Sequence, residues 1–177
     1  MTGHEQLDDI IERALSLRAA GMRLPRLSVA IEDDSGTNGA RIMNAYIKAL
    51  TDHGFISNAV SWISSQSMNF VGQGANAVRS VAENGTLILD NTQLIGELAC
   101  REIASALPTA IEQRGITAIL CGTRGSIRSF LDADPGLSRR MNIGIDADKS
   151  MPAECAHRDV LLMKPLGIIK PRTPRPF

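Results

Sequence analysis

The segment from Leu27 to Arg41 is predicted to have the order of strand, loop and helix that holds a phosphate group in P-loop proteins. It predicts a short apolar strand that ends at Ile31, a polar loop over Glu32–Asn38, and a helix that runs to about His53. Such a loop binds phosphate because backbone N–H groups at the start of the helix point towards the anion. The full pattern, GxxxxGK[ST], also needs a lysine for the phosphates and a hydroxyl group for Mg2+.

The chemical groups of that pattern are missing from this chain. The residues at its four defining positions are Asp33, Asn38, Gly39 and Ala40. Gly39 supplies no positive charge at the lysine position, and Ala40 supplies no hydroxyl group. The neighbouring acidic run Glu32–Asp34 adds repulsion, since one close contact between like charges costs about 4 kcal/mol at a surface-like dielectric constant. We therefore expect ATP to bind poorly, if at all, in the usual position.

Predicted strands and helices alternate along the rest of the chain. Apolar strands are expected at 27–31, 59–63, 86–89, 117–121 and 142–146, and helices at 5–20, 75–83, 97–113 and 126–132 beside the one after the loop. Pro108 is expected to kink or divide the helix 97–113, and Asp134–Gly136 to form a turn. Because the strands are continuous apolar runs, we predict a mainly parallel five-stranded sheet in a three-layer α/β/α sandwich.

Composition and length favour one protein domain with an added helix and tail. We predict an N-terminal helix packed on the core over residues 1–26, an α/β core over 27–150, and a short C-terminal segment with a basic, proline-rich tail over 151–177. Nineteen basic and nineteen acidic residues balance, so no nucleic-acid or membrane partner is expected. With no signal peptide, no bilayer-spanning apolar run and three widely spaced cysteines, the expected location is the cytoplasm.

Ligands of parallel sheets bind at the carboxyl ends of the strands, which here carry several charged and polar residues. Asp33, Asp34 and Asp90 are candidates for holding a metal ion in a repurposed phosphoryl or hydrolytic reaction. No nucleophile–base pair supports that hypothesis, because the three histidines lie far from these positions in the sequence. Arg124 and Arg128 are candidates for receiving an anion at the same edge, although solvated side chains are the simpler interpretation.

The acidic run Glu32–Asp34 has a different candidate partner, a cation or a basic segment. The basic residues of the chain's own tail are Lys164, Lys170, Arg172 and Arg175. They can come from the same chain or from a neighbouring copy.

Three motifs follow one another in a characteristic order. FVGQ begins at Phe70, GTLILDNTQ begins at Gly85, and FLDADPGLSRR begins at Phe130 after the strand TAILCG. In this order the chain resembles, over about residues 27–150, the AAA+ ATPases of the red-type Rubisco activase and stage V sporulation protein K group. The AAA+ proteins of type VII secretion belong to the same broad set. The resemblance implies an AAA+ core of bacterial type.

The resemblance assigns roles to two surface elements. Phe70, Val71 and Gly72 match the pore loop that grips a threaded polypeptide in that group. Arg140 matches the arginine finger, which reaches the nucleotide of a neighbouring subunit. The structural alternatives remain open: Phe70 can pack on its own domain, and Arg140 can be a solvated surface residue.

The same comparison assigns a remnant nucleotide site to Gly36, Thr37 and Asp90. Asp90 matches the Walker B aspartate that helps to hold Mg2+, and the next position, the catalytic glutamate of the group, is Asn91. An amide does not take up a proton near neutral pH, so Asn91 cannot act as a general base. Alternatively, Gly36 and Thr37 serve only as turn and cap residues, and Asp90 only binds a backbone amide.

The resemblance therefore implies a degenerate AAA+ core. Fewer than thirty residues follow Ser150, which is too few for the helical lid of the group. We predict a catalytically inactive pseudo-ATPase that acts as a protein-binding, scaffold or regulatory module, in a homo- or hetero-oligomer, with no cofactor unless residual ATP and Mg2+ binding survives. One alternative is a subunit of a hetero-oligomeric ring that donates Arg140 in trans to an active AAA+ homologue. Another is a weak nucleotide-binding protein with residual ATPase activity.

Overall fold

The sheet has five strands in the computed structural model, which describes residues 1–57, 59–63 and 71–149. The strands are β1 (Val29–Glu32), β2 (Val60–Ile63), β3 (Thr86–Leu89), β4 (Thr117–Gly122) and β5 (Asn142–Asp146). Their order across the sheet is β2-β3-β4-β1-β5, and every neighbouring pair is parallel. The prediction of a mainly parallel five-stranded α/β sheet is confirmed.

Helices connect the strands and cover both faces of the sheet. They are α1 (Gly3–Ala19), α2 (Gly39–Asp52), α3 (Gln73–Ser80), α4 (Glu97–Arg114), α5 (Arg124–Asp132) and α6 (Pro135–Ser138), with one 3-10 turn at Thr92–Leu94. Among the described helices, none is both long and apolar enough to cross a membrane.

The core consists of two apolar clusters, one on each face of the sheet. Alternate residues of one strand join different clusters: Leu120 packs with α3, α4 and α5, whereas Ile119 packs with α1 and α2. All four residues of β3 and all six of β4 are buried. Burial on both faces explains why these strands read as continuous apolar runs rather than as alternating patterns.

Helix α1 begins with a capping box, in which Thr2 accepts a hydrogen bond from the backbone of Glu5 and Glu5 accepts one from the backbone of Thr2. The apolar face of α1 packs in the same cluster as α2 and β5, with Leu7, Ile10, Ile11 and Ala14 all buried. Residues 1–26 thus include a helix that covers the core. The predicted C-terminal segment, 151–177, lies outside the described residues.

Two sequence expectations about proline need correction. Pro108 does not divide helix α4, which continues through it as one helix, because that residue is itself buried and the same face carries the fully buried Ile103 and Leu107. Burying these side chains stabilises the helix enough to offset the missing hydrogen bond. The expected turn at Asp134–Gly136 is the start of helix α6, since the Asp134 carboxylate accepts a hydrogen bond from the N–H of Gly136 and Pro135 lies in the first turn.

Candidate functional site

The loop between β1 and α2 is closed around a carboxylate of its own. Asp33 is only 7% exposed, and its Oδ1 accepts hydrogen bonds from the Gly36 N–H and the Ser35 hydroxyl, both at 3.0 Å. Its Oδ2 accepts one from the N–H of Gly39 at 2.7 Å. Gly39 is the first residue of α2, so the carboxylate lies at the amino end of that helix, where the helix dipole favours a negative charge.

A second carboxylate reaches the loop from the end of β5, the strand next to β1. Asp148, just after β5, accepts hydrogen bonds through Oδ2 from the backbone N–H groups of Asp34 at 2.8 Å and Ser35 at 3.2 Å. Hydrogen bonds from Ser35, and then from the Asp34 backbone, lower the pKa of Asp148. The two carboxylates together accept from the backbone N–H groups of residues 34, 35, 36 and 39. These are the kind of donors that bind phosphate oxygens in a phosphate loop.

The lysine position of the pattern has no room for a side chain. A Cβ atom added to Gly39 would lie 2.5 Å from Cys121 Sγ and 2.7 Å from Asp33 Oδ2. Both atoms belong to buried residues, so neither can move aside without disturbing the core. Glycine is therefore required at position 39 by the packing around it.

Cys121, at the end of β4, is a neutral thiol. Burial raises its pKa to about 12, and the negative charges of Asp90 and Asp33, with a hydrogen bond to Asp90, act in the same direction. A thiol that keeps its proton is a poor nucleophile and a poor metal ligand. The described residues contain no group of three or more His, Cys, Asp or Glu side chains placed to hold a metal ion. The metal-dependent hypothesis for Asp33, Asp34 and Asp90 stays a prediction.

Asp90 and Asn91 follow β3 at the same edge. The Asp90 carboxylate accepts a hydrogen bond from the N–H of Asn91 at 2.8 Å. Asn91 has a left-handed backbone (φ 54°), and its side-chain oxygen accepts a hydrogen bond from Gln93 at 3.3 Å. This hydrogen bond is the contact with a backbone amide that the structural alternative for Asp90 describes. The side chain of Asn91 is an amide, which does not act as a general base.

The remaining acidic residues of this edge are paired with Arg124. Its guanidinium binds Glu32 at 2.8 Å and Asp146 at 3.3 Å. Its backbone N–H donates to the Asp34 carboxylate at 2.7 Å. Arg124 therefore binds acidic groups of the chain itself, while Arg128 is an exposed residue of α5.

Sequence reasoning missed Asp146 and Asp148. The signal was present, because both residues lie at the carboxyl end of the last predicted strand, 142–146. Only the ends of the strands that precede it were considered as a ligand edge. The order of the strands, which places β5 beside β1, brings Asp148 to the loop.

The predicted pore loop lies partly outside the described residues. Phe70 is among the residues that are not described, while Val71 is 80% exposed. Gly72 has φ +86°, and its N–H donates to the Glu102 carboxylate at 2.6 Å. A pore-loop role for these three residues stays a prediction.

Arg140, the arginine-finger candidate, is bound within its own chain. Its Nη1 donates to the Gly136 carbonyl at 2.7 Å, and its Nη2 lies 2.7 Å from a Glu112 carboxylate oxygen. Arg140 precedes β5, so it lies at the amino edge of the sheet, opposite the phosphate loop. Its role as an arginine finger also stays a prediction.

A cavity of about 650 Å3 opens at that amino edge, beside Arg140. A smaller cavity, of about 510 Å3, lies at the other edge between the 3-10 turn and α5, lined among others by Thr92 and Ser126. Neither cavity is lined by the loop 32–38. The loop 32–38 therefore lies outside both cavities.

Solved structures with the same architecture come from RuvB of Thermotoga maritima. One RuvB mutant superposes with a TM-score of 0.54 at 16% identity, covering 84% of this chain and 47% of the RuvB chain. Another gives a TM-score of 0.53 at 15% identity, covering 81% and 43%. The chain has the AAA+ fold.

This chain spans less than half the length of those RuvB chains. At such low identity the likeness concerns the fold alone. No protein-family model matches the sequence, and no curated protein matches it at a significant level. The AAA+ fold places the loop between β1 and α2 at the position of the GxxxxGK[ST] pattern, and in this chain that loop is the carboxylate-bound segment 32–38.

Proposed function

We propose that this AAA+ chain has no ATPase activity of its own and acts as a protein-binding scaffold or regulatory module, in a homo- or hetero-oligomer. The observation that carries the proposal is the phosphate loop, whose backbone N–H groups bind Asp33 and Asp148. A nucleotide phosphate would have to displace both carboxylates and then lie beside them. Each displaced carboxylate loses its hydrogen bonds, and each repels the incoming anion.

The hydrolytic step lacks its groups for independent reasons. Ala40 has no hydroxyl group to hold Mg2+, and Gly39 has no charge and no space for one. Asn91 cannot accept the proton of an attacking water. Restoring any single group would leave the others missing, which supports an inactive protein rather than a slow enzyme.

The segment that resembles a pore loop is the basis for a protein partner. Val71 of that segment is exposed, so its side chain is accessible to another polypeptide. The resemblance to the group of red-type Rubisco activase and stage V sporulation protein K, together with the AAA+ fold, supports assembly with further copies or with an active AAA+ homologue.

The alternative, donation of Arg140 to a partner's nucleotide, has weaker support. Arg140 would have to leave both Glu112 and the Gly136 carbonyl before reaching across an interface. If the alternative holds, Arg140→Ala will lower the ATPase rate of an active AAA+ partner mixed with this chain. An unchanged rate would leave the scaffold proposal in place.

Nucleotide binding is the direct test of the proposal. Purified chain is titrated with Mg-ATP and Mg-ADP, with calorimetry and melting temperature as the two readouts. A ligand that binds only the folded state raises its stability with the logarithm of ligand concentration over Kd. To keep the arginine-lined cavity at the other edge out of the readout, the titration is made in a chain that carries Arg23→Gln and Arg26→Gln. In this variant we expect neither heat nor a melting shift at millimolar nucleotide.

A variant that opens the loop makes the same test sharper. Asp33→Gly with Asp148→Asn removes the two internal acceptor charges, and Asp132→Asn, an exposed aspartate of α5, is the control. We expect inorganic pyrophosphate to bind the double variant more tightly than it binds the wild type or the control. Tight nucleotide binding that survives Arg23→Gln with Arg26→Gln would contradict the proposal outright.

A further inference from the structure

The cavity of about 650 Å3 at the amino edge of the sheet has the size of a ligand site, and polar and apolar groups both line it. Ligand pockets in proteins generally have volumes of about 300–1,000 Å3. This one is bounded by the residues that precede β1 and β4, among them Leu27 and Ile116, and by Phe55 beyond α2. Nothing in the proposed scaffold function uses it.

Three arginines line this cavity: Arg23, Arg26 and Arg140. Within the described residues, no carboxylate lines it. Arg23 and Arg26 are exposed, and their guanidinium groups make no ion pair or hydrogen bond with any described residue. This differs from Arg124 at the opposite edge, which binds two carboxylates.

Arg140 adds an unsatisfied donor. Two of its nitrogens bind Glu112 and the Gly136 carbonyl, but its Nε is buried and has no partner in the described part of the chain. A buried N–H without an acceptor is unfavourable, so Arg140 holds its position at a cost in stability. The cavity thus combines the guanidinium groups of Arg23 and Arg26, which pair with no described residue, with a third arginine whose charge Glu112 partly offsets.

We propose that this cavity binds a small organic phosphate, with its phosphate on the arginines and its apolar part against Phe55 and Ile116. Guanidinium groups match phosphate oxygens because each presents several N–H donors in one plane. A doubly charged phosphate also balances Arg23 and Arg26 better than a single carboxylate does. The proposal does not depend on the state of the phosphate loop, which lies at the other edge.

Phenyl phosphate, phenol and inorganic phosphate are suitable probes, since together they separate the anion from the ring. Each is titrated by calorimetry into the full chain. We expect phenyl phosphate to bind at least tenfold more tightly than either of the other two. Phenyl phosphate that binds no better than inorganic phosphate would show that the apolar wall takes no part, and would overturn the proposal.

The location of the site is tested by Arg23→Gln with Arg26→Gln. Both side chains are exposed, and their guanidinium groups form no hydrogen bond or ion pair with a described residue, so the melting temperature should hold. Arg128→Gln, which removes an equally exposed arginine from α5, is the matched control. We expect the double variant to lose at least tenfold in affinity for phenyl phosphate and the control to lose none. Equal affinity in the wild type and the double variant would overturn the assignment.

Discussion

At the carboxyl edge of the sheet, backbone N–H groups of the loop 32–38 and of Gly39 face two carboxylates of the same chain, those of Asp33 and Asp148. At the amino edge, the guanidinium groups of Arg23 and Arg26 face a cavity with no carboxylate in its described lining. The first edge has internal acceptors for its donors, and the second edge does not.

This difference shows why the net charge of zero says little about where an anion binds. Acidic groups gather at the edge where the AAA+ fold places its phosphate loop, and arginines gather at the other. A charged ligand responds to the local arrangement of charges rather than to their sum. We therefore expect anions to prefer the edge that the fold does not normally use for them.

The largest loss of stability is expected when the Asp33 carboxylate, which accepts the hydrogen bonds of the loop, is removed. Asp33→Ala deletes a buried carboxylate that accepts three hydrogen bonds, two of them from backbone N–H groups. We expect the free energy of unfolding to fall by about 3 kcal/mol, since donors left without acceptors cost about 1–3 kcal/mol each and some will find water. Urea denaturation measures the change.

Asp34→Ala is the matched control for that experiment. Its carboxylate is exposed and accepts a hydrogen bond from the N–H of Arg124. We expect a loss of about 1 kcal/mol or less. Equal losses for the two variants would mean that Asp33 is not the acceptor around which the loop is built.

Much of this molecule follows from local patterns in the sequence. The strands 86–89 and 142–146 were predicted with the bounds that the structure gives them, because apolar runs between turn residues leave little choice. The sequence alone also showed that Gly39 and Ala40 replace the lysine and the hydroxyl-bearing residue of the pattern. Pattern reasoning failed at Pro108, where burial of the helix face overrides a local preference.

The sequence did not predict that carboxylates of the chain itself accept the hydrogen bonds of the loop. Asp33 was taken as a source of repulsion, and its carboxylate instead turns back onto Gly36 and Gly39. Asp148 is more than a hundred residues from the loop in the sequence and reaches it because β5 lies beside β1. Side-chain direction and strand order decide both contacts, and neither is a local property of the chain.

A smaller loss of stability is expected from a substitution of Gly39, which occupies the lysine position of the pattern. Gly39→Ala places a methyl group against Cys121 Sγ and Asp33 Oδ2, so we expect a loss of about 2 kcal/mol from overpacking. Cys121→Ala removes one of the two obstructing atoms. In a double-mutant cycle the two changes should couple favourably by at least about 0.5 kcal/mol. Additive losses would show that the thiol does not limit the space at position 39.

The charge of Asp148 makes a still smaller, pH-dependent contribution. Its pKa is lowered in the folded chain, so its charge stabilises the fold above the unfolded value of about 3.9. That stability is lost as the pH falls through the folded pKa. Asp148→Asn should therefore melt below the wild type at pH 7, and the two melting temperatures should approach each other as the pH falls through the folded pKa of Asp148. A difference that does not change as the solution is acidified would mean that the charge is not involved.

The smallest effect on stability is expected at the amino edge, from Glu112→Gln. Glu112 is 60% exposed, and Arg140, its partner, is 26% exposed, so the ion pair is worth about 0.5 kcal/mol. The same change frees Arg140 from a competing carboxylate and removes a negative charge from the side of the cavity. We expect phenyl phosphate to bind a few-fold more tightly to this variant, although the protein is slightly less stable.

A loss of stability together with a gain in affinity for phenyl phosphate distinguishes this outcome from a general destabilisation of the fold, which would lower both. Glu97→Gln is the matched control, because Glu97 pairs with Arg101 on the same helix at the carboxyl end of the sheet, away from the arginine-lined cavity. It should give a similar small loss of stability and leave the affinity unchanged. If Glu112→Gln also leaves the affinity unchanged, Arg140 is not part of the anion site, and the contrast between the two edges rests on Arg23 and Arg26 alone.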